Sequence, residues 1–206
     1  MEGLKKFASH FADYQNRYVL IGGAATWLVL DAAGLEPRAT KDFDIVLSIE
    51  VLDANFGIAL REFILAGGYE IKEKNDGEKS FYRFQKPTQI DYPFMLELFS
   101  RKPDGLVLDN NCHLTPIPID EDISSLSAIL LEDDYYDLLH RHKKEIEGVS
   151  IVGEECLIPL KARAWMDLSR LKKNGKQVDN KNIRKHRNDI LRLYQLLSPP
   201  LVTRRT

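Results

Sequence analysis

Apolar and polar positions along this chain follow two rhythms. Residues 3–16 bring Leu4, Phe7, Ala8 and Phe11 to one side at helical spacing, which predicts a short amphipathic helix. Residues 18–21, Tyr-Val-Leu-Ile, form a short apolar run that ends in Gly22-Gly23, the pattern of a buried strand followed by a sharp turn. Helices are predicted over 24–33 and 50–66, closed by Gly34 and by Gly67-Gly68, with a strand over 43–48 between them. Strands over 69–74 and 80–85 flank Asn75-Asp76-Gly77, a hairpin turn signal. A further strand is expected over 94–100, and 106–118 reads as short extended structure. Near residue 120 the rhythm changes, with helices expected over 124–131, 133–144, 157–173 and 180–197. The pattern therefore predicts an α+β chain, with an α/β domain over 1–120 and a helical domain over 121–206.

Composition sets loose bounds. The chain has 206 residues and is 44% hydrophobic, ordinary for a globular protein with a core. No apolar run is long enough to suggest a membrane span, and the first residues lack the apolar segment of a signal peptide, so a cytoplasmic protein with no membrane partner is expected. Cys112 and Cys156 stand far apart and read as free thiols rather than a disulfide.

The net charge of −2 hides an asymmetry. Residues 161–206 carry thirteen Lys and Arg against three acids, a balance of +10, while residues 1–160 carry −12. A basic C-terminal part points to an anionic partner, or equally to a solvated helical face attracted to the acidic part.

The most informative chemistry lies between residues 18 and 47. Asp42 and Asp44 sit two apart on a predicted strand, so their side chains leave the same face. Two ionised carboxylates side by side repel unless a cation sits between them. A divalent ion carrying a triphosphate suits them, because Mg²⁺ takes one or two carboxylates and completes its shell with phosphate oxygens. Gly22-Gly23 supplies the complement: the backbone turns tightly, approaches a ligand closely and opens a helix whose free N–H groups attract an anion.

These residues resemble the signature of the nucleotidyltransferase superfamily, in which a Gly-Gly or Gly-Ser turn precedes an Asp-x-Asp strand and a third carboxylate follows. Eighteen residues separate Gly23 from Asp42, more than in compact members. That spacing, with Arg38-Ala39-Thr40-Lys41-Asp42 as an Arg-x-Thr-x-Asp loop, looks like the AbiEii-type branch. The resemblance implies a nucleotidyltransferase-type mixed sheet flanked by helices, followed by a helical C-terminal domain. It also implies Mg²⁺, in a two-ion site (with Mn²⁺ as the alternative), and transfer of a nucleotide from an NTP to an RNA 3′ end or a protein hydroxyl. Relatives of that branch include toxins held by an antitoxin partner. Position 23 is Gly rather than Ser, so no hydroxyl is offered to a phosphate there.

The resemblance extends to further positions. Glu97, charged within the apolar stretch Phe-Met-Leu-Glu-Leu-Phe-Ser, matches the place of the third carboxylate, alongside Asp42 and Asp44 as metal ligand and catalytic group. A charge there is costly to bury unless paired or metal-linked; an edge strand facing solvent is the plain alternative, and Asp91 the competing carboxylate. Lys161 matches a helix lysine that approaches the triphosphate, and the run Lys185-His186-Arg187-Asn188-Asp189 matches a lysine-rich segment ending in Asp. Gly22, Gly23, Thr40, Lys41, Lys161 and Asp189 are thus the expected nucleotide-binding residues. The plain alternatives are a Lys161 stem lying over apolar surface and an exposed Lys185–Asp189 pair one helical turn apart. Trp27 and Trp165 are expected in the core, as are Phe81, Tyr82 and Phe84, with base stacking the lesser alternative for the last three. No Gly-x-Ser-x-Gly and no Gly-Lys-Thr loop is present, which argues against serine hydrolases and Walker-type ATPases. A binding module that keeps the fold without turnover is the alternative function.

Overall fold

The computed structural model describes residues 1–73, 79–104, 114–117 and 127–197. After α1 (Leu4–His10), the chain forms β1 (Tyr18–Ile21), α2 (Gly22–Ala32), β2 (Asp42–Leu47) and α3 (Ala54–Gly67). A run of strands follows: β3 (Glu70–Glu73), β4 (Lys79–Gln85), β5 (Met95–Ser100), β6 (Leu114–Pro116) and β7 (Ser127–Leu130). Then come α4 (Asp133–Arg141), β8 (Lys143–Ile146), β9 (Val149–Val152), α5 (Glu154–Lys173) and α6 (Asn180–Tyr194).

The result is a mixed sheet flanked by helices, as expected. Its main path runs β3-β4-β5-β2-β1-β9-β8. β2 is antiparallel to β1 and parallel to β5, so the acidic strand lies inside the sheet with a partner on each side. β4 covers the first half of the outer edge of β5, and β7 the second half.

The two faces of β2 serve different ends. Phe43, Ile45 and Leu47 face the core, where Phe43 meets Phe7 of α1 edge-on at 5.3 Å between ring centres. Phe7 also packs against Tyr18 and against Phe63 of α3. Such ring pairs add about 0.5–1.5 kcal/mol each beyond simple burial, and they fix which face of β2 is inside. Asp42 and Asp44 are left on the opposite face, toward α2 and the α5–α6 hairpin. α5 packs along α6, and both touch α2.

Several elements differ from the sequence expectation. The first helix is a single short helix followed by a 3₁₀ turn at Ala12–Tyr14. α3 starts at Ala54 rather than near residue 50 because Asp53 caps it, accepting a hydrogen bond from the Phe56 N–H at 2.9 Å. In the expected helix over 124–131, Ser127–Leu130 is instead strand β7, paired with both β5 and β6. A short apolar run fits strand or helix equally by pattern, and the open edge of β5 decides it. The helix expected over 133–144 ends at Arg141, and a hairpin follows. Glu147 and Gly148, with φ of 50° and 73°, turn it, since two successive positive φ angles match the right-handed twist of a hairpin. β9 then joins β1 in parallel. The sheet thus takes strands from both sides of residue 120, and residues 121–206 are not wholly helical as expected.

Trp165 also departs from expectation: it is 37% exposed on α5, while Trp27 is half-buried against the core and Phe84 is fully inside. Phe81 and the turn Asn75-Asp76-Gly77 lie outside the side chains or residues described, and Tyr82 is half-buried. Cys156 is a free buried thiol whose pKa burial pushes up to about 11, and Cys112 falls outside the described residues. No helix among the described residues is long and apolar enough to cross a membrane.

Candidate functional site

β1 delivers Gly22 to the acidic face. Ile21 pairs with Asp44 across the β1–β2 ladder, so the turn after β1 lies directly against that carboxylate. Gly22 has φ of 62°, and a Cβ at this position would fall 2.0 Å from Asp44 Oδ2. Only glycine meets both demands. The Gly22 carbonyl accepts a hydrogen bond from Thr26 Oγ1 at 2.6 Å, which ties the turn to α2. A Cβ on Gly23 would lie 2.6 Å from Thr40 Oγ1, so the loop ahead of β2 packs onto the same turn.

A cavity of about 520 Å³ opens beside these residues. Gly23, Thr40, Lys41, Asp42 and Asp44 line it, together with Arg38, Phe94, Met95 and Lys185. Five of the expected site residues thus converge on one space. A neighbouring cavity of about 350 Å³ shares the Arg38 and Lys185 walls and reaches Asp189 and Arg192.

The Asp42 and Asp44 carboxylates make no hydrogen bond or close ion pair with other described residues. Burial, then the charges of Glu97 and Asp42, push the Asp44 carboxyl up to about 6, while Lys185 and Lys161 pull it back. A buried carboxylate with two like neighbours and no bonded cation is the environment a hard divalent ion relieves. The pair therefore fits Mg²⁺ or Mn²⁺, with the remaining ligands drawn from substrate and water.

Glu97 sits opposite Asp44 in the parallel β2–β5 ladder and shares its face. Its carboxylate is already engaged: Arg83, opposite on β4, donates to Glu97 Oε1 from Nε at 2.6 Å and also from Nη2. Both bonds fall on Oε1. No group of three or more His, Cys, Asp or Glu side chains that would hold a metal ion occurs among the described residues. The structure thus brings Asp42 and Asp44 together at the cavity and keeps Glu97 beside them on Arg83. Asp91, the competing carboxylate, is exposed and paired with Lys6 at 3.2 Å, away from the cavity.

Lys161 and Asp189 differ from expectation in another way. Lys161 Nζ meets Asp189 Oδ2 at 2.8 Å, with both side chains buried, and does not line the larger cavity. Asp189 also faces Arg38 Nε at 3.7 Å. The exposed Lys185–Asp189 pair is therefore replaced by an internal Lys161–Asp189–Arg38 group that joins both C-terminal helices to the loop before β2. His186 lies beside it, and burial with the Lys161 and Lys185 charges pulls its imidazole down to about 4.

With Asp189 turned to Lys161, Lys185 is left half-buried on the cavity wall without an ion-pair partner among the described residues. It lines the cavity, whereas Lys161 does not. The signal was in the sequence, since positions 185 and 189 are one helical turn apart. Which of the two faced the carboxylates depended on how α6 is rotated against α5. Arg38 was legible as the first residue of the Arg-x-Thr-x-Asp loop, and Phe94 only as a strand residue.

No protein-family model matches the chain, and no curated protein matches its sequence. A solved structure, an antigenic nucleotidyltransferase-like protein from Paracoccidioides brasiliensis, aligns over 96% of this chain and 78% of its own at 19% identity, with a TM-score of 0.49.

Proposed function

We propose that the protein is a Mg²⁺-dependent nucleotidyltransferase that moves a nucleoside monophosphate from an NTP to a hydroxyl acceptor. The observation that carries this reading is the pair of unpartnered carboxylates, Asp42 and Asp44, on one wall of a cavity whose other walls are a glycine turn and the cations Arg38, Lys41 and Lys185. Acidic and basic groups around one space suit a metal–triphosphate better than either a free cation or a free anion.

Asp42 and Asp44 would hold the ion, which when bound polarises the phosphates and neutralises their charge. The chain's own residues do the rest. Gly22-Gly23 lets the backbone approach the triphosphate, while Arg38 and Lys185 hold the β- and γ-phosphates. The acceptor oxygen attacks the α-phosphorus, the bond to the β-phosphate oxygen breaks, and pyrophosphate leaves. The acceptor proton passes to Glu97 Oε2, the oxygen that Arg83 leaves free. Negative charge grows on the leaving pyrophosphate, so cations fixed beforehand act mainly in the transition state. An RNA 3′ end and a protein hydroxyl both fit as acceptors. The toxin role with an antitoxin partner, and a cytoplasmic setting, belong to the same reading.

The test is incubation with α-labelled NTPs, Mg²⁺ and total RNA or lysate. Wild type should transfer label and Asp44→Asn should not; equal transfer by both would remove the reading. A second reading, a nucleotide-binding module without turnover, is favoured by the Arg83–Glu97 ion pair, which engages the third carboxylate. Under it, NTP binds but no label moves. Glu97→Gln distinguishes them, because an enzyme should lose turnover while keeping NTP affinity, the pattern of an interaction made only in the transition state.

A further inference from the structure

We propose that Phe94 is the platform on which the nucleobase of the bound nucleotide stacks. This rests on the nucleotidyltransferase reading and adds to it the way the non-phosphate end of the substrate is held. Phe94 is 47% exposed and lines the larger cavity, whereas its neighbours Tyr92 and Pro93 are buried. Its backbone is clamped on both sides: Phe94 N–H donates to the Lys41 carbonyl at 2.9 Å, and its own carbonyl accepts from Lys86 N–H at 2.9 Å. The Pro93 carbonyl accepts from Tyr69 Oη at 2.6 Å. An apolar ring left about half exposed on a hydrogen-bonded backbone lacks the full burial of a core residue.

Its position suits a base. The bond to Lys41 sets Phe94 three strand positions from Asp44, roughly 10 Å along the strand at about 3.3 Å per residue. Met95, opposite Asp42 in the ladder, lines the same cavity next to Phe94. The cavity lining thus combines the carboxylates Asp42 and Asp44 and the cations Arg38, Lys41 and Lys185 with the apolar side chains Phe94 and Met95. A nucleotide carries groups that suit both kinds of lining, anionic at one end and an aromatic plane at the other. Stacking tolerates every base because each has a π-face, so the platform supplies affinity with only a modest preference for purines.

The experiment compares wild type, Phe94→Ala, Phe94→Leu and Phe94→Trp by calorimetry with ATP, UTP and inorganic tripolyphosphate, each with Mg²⁺. Phe94→Ala should weaken both nucleotides roughly 5- to 100-fold, ATP the more, and leave tripolyphosphate unchanged. Phe94→Trp should bind at least as well as wild type, and Phe94→Leu should resemble the alanine variant, since it restores apolar area but not a ring. Melting curves of the four should coincide, because the side chain is exposed. Equal weakening of nucleotide and tripolyphosphate, or full affinity in Phe94→Leu, would overturn the stacking role. Wild type that binds ATP, with Phe94→Ala binding it equally, overturns this inference alone. Wild type that binds no nucleotide overturns the functional reading beneath it as well.

Discussion

Lys161 Nζ and Asp189 Oδ2 meet at 2.8 Å between α5 and α6, and neither side chain is more than 5% exposed. Burial pulls the Lys161 ammonium below its usual range, while the Asp189 charge and hydrogen bond hold it up. Removing one partner strands the other as a buried charge, at about 3–5 kcal/mol. Asp189→Ala should therefore destabilise the protein by that amount in urea unfolding. The double variant Lys161→Met, Asp189→Leu should recover most of the loss, because two apolar groups need no partner.

Gly22→Ala tests the turn. Alanine at φ of 62° meets steric strain of about 1–2 kcal/mol, and its Cβ would collide with Asp44 Oδ2. The expected outcome is a lower melting temperature together with loss of the Mg²⁺-dependent rise expected of wild type. A melting scan with and without Mg²⁺ reads both. An unaltered Mg²⁺ response would mean that the Asp44 carboxylate does not need the glycine beside it.

Asp44 gives a pH dependence of definite sign. Its carboxyl is raised from an ordinary 3.8 to about 6 in the fold, so between these values the native state holds a proton that the unfolded state has released. Stability from this group is therefore greatest below about 4 and falls as pH rises to about 6. In metal-free buffer Asp44→Asn should lose less stability across that window than wild type, by roughly 2–3 kcal/mol at about 1.4 kcal/mol per unit. Adding Mg²⁺ and NTP reverses the order, since a ligand at a hundred times its Kd adds about 2.7 kcal/mol to the form that binds it. Chemical denaturation from pH 4 to 8, with and without ligand, measures both effects.

The two lysines should separate cleanly. Lys185 lines the cavity, so Lys185→Ala should weaken tripolyphosphate binding roughly tenfold or more, the scale of a lost charge-assisted hydrogen bond, with little change in melting temperature. Lys161→Met should do the reverse, losing stability first. Titration calorimetry beside melting curves gives both numbers, and a stable Lys161→Met protein that alone loses tripolyphosphate would restore Lys161 as the phosphate ligand.

What the sequence determined was local. The strand–glycine turn–helix order, the shared face of Asp42 and Asp44, and the mixed α/β character follow from periods of two and 3.6 residues and from glycine's freedom at positive φ, all read within a few neighbours. Tertiary structure decided the rest. Residues 127–130 became a strand because β5 and β6 offered unpaired edges, a condition set far away in the chain. Glu97 reached Arg83 rather than standing free because β4 and β5 pair in a register that puts those two opposite. Lys161 turned inward and Lys185 outward because α5 and α6 pack with Asp189 at their interface, and a buried carboxylate takes the cation that is buried with it. Sequence pattern shows which side chains share a face of one element; it does not carry the rotation of one element against another, and that rotation chose which lysine faces the carboxylates.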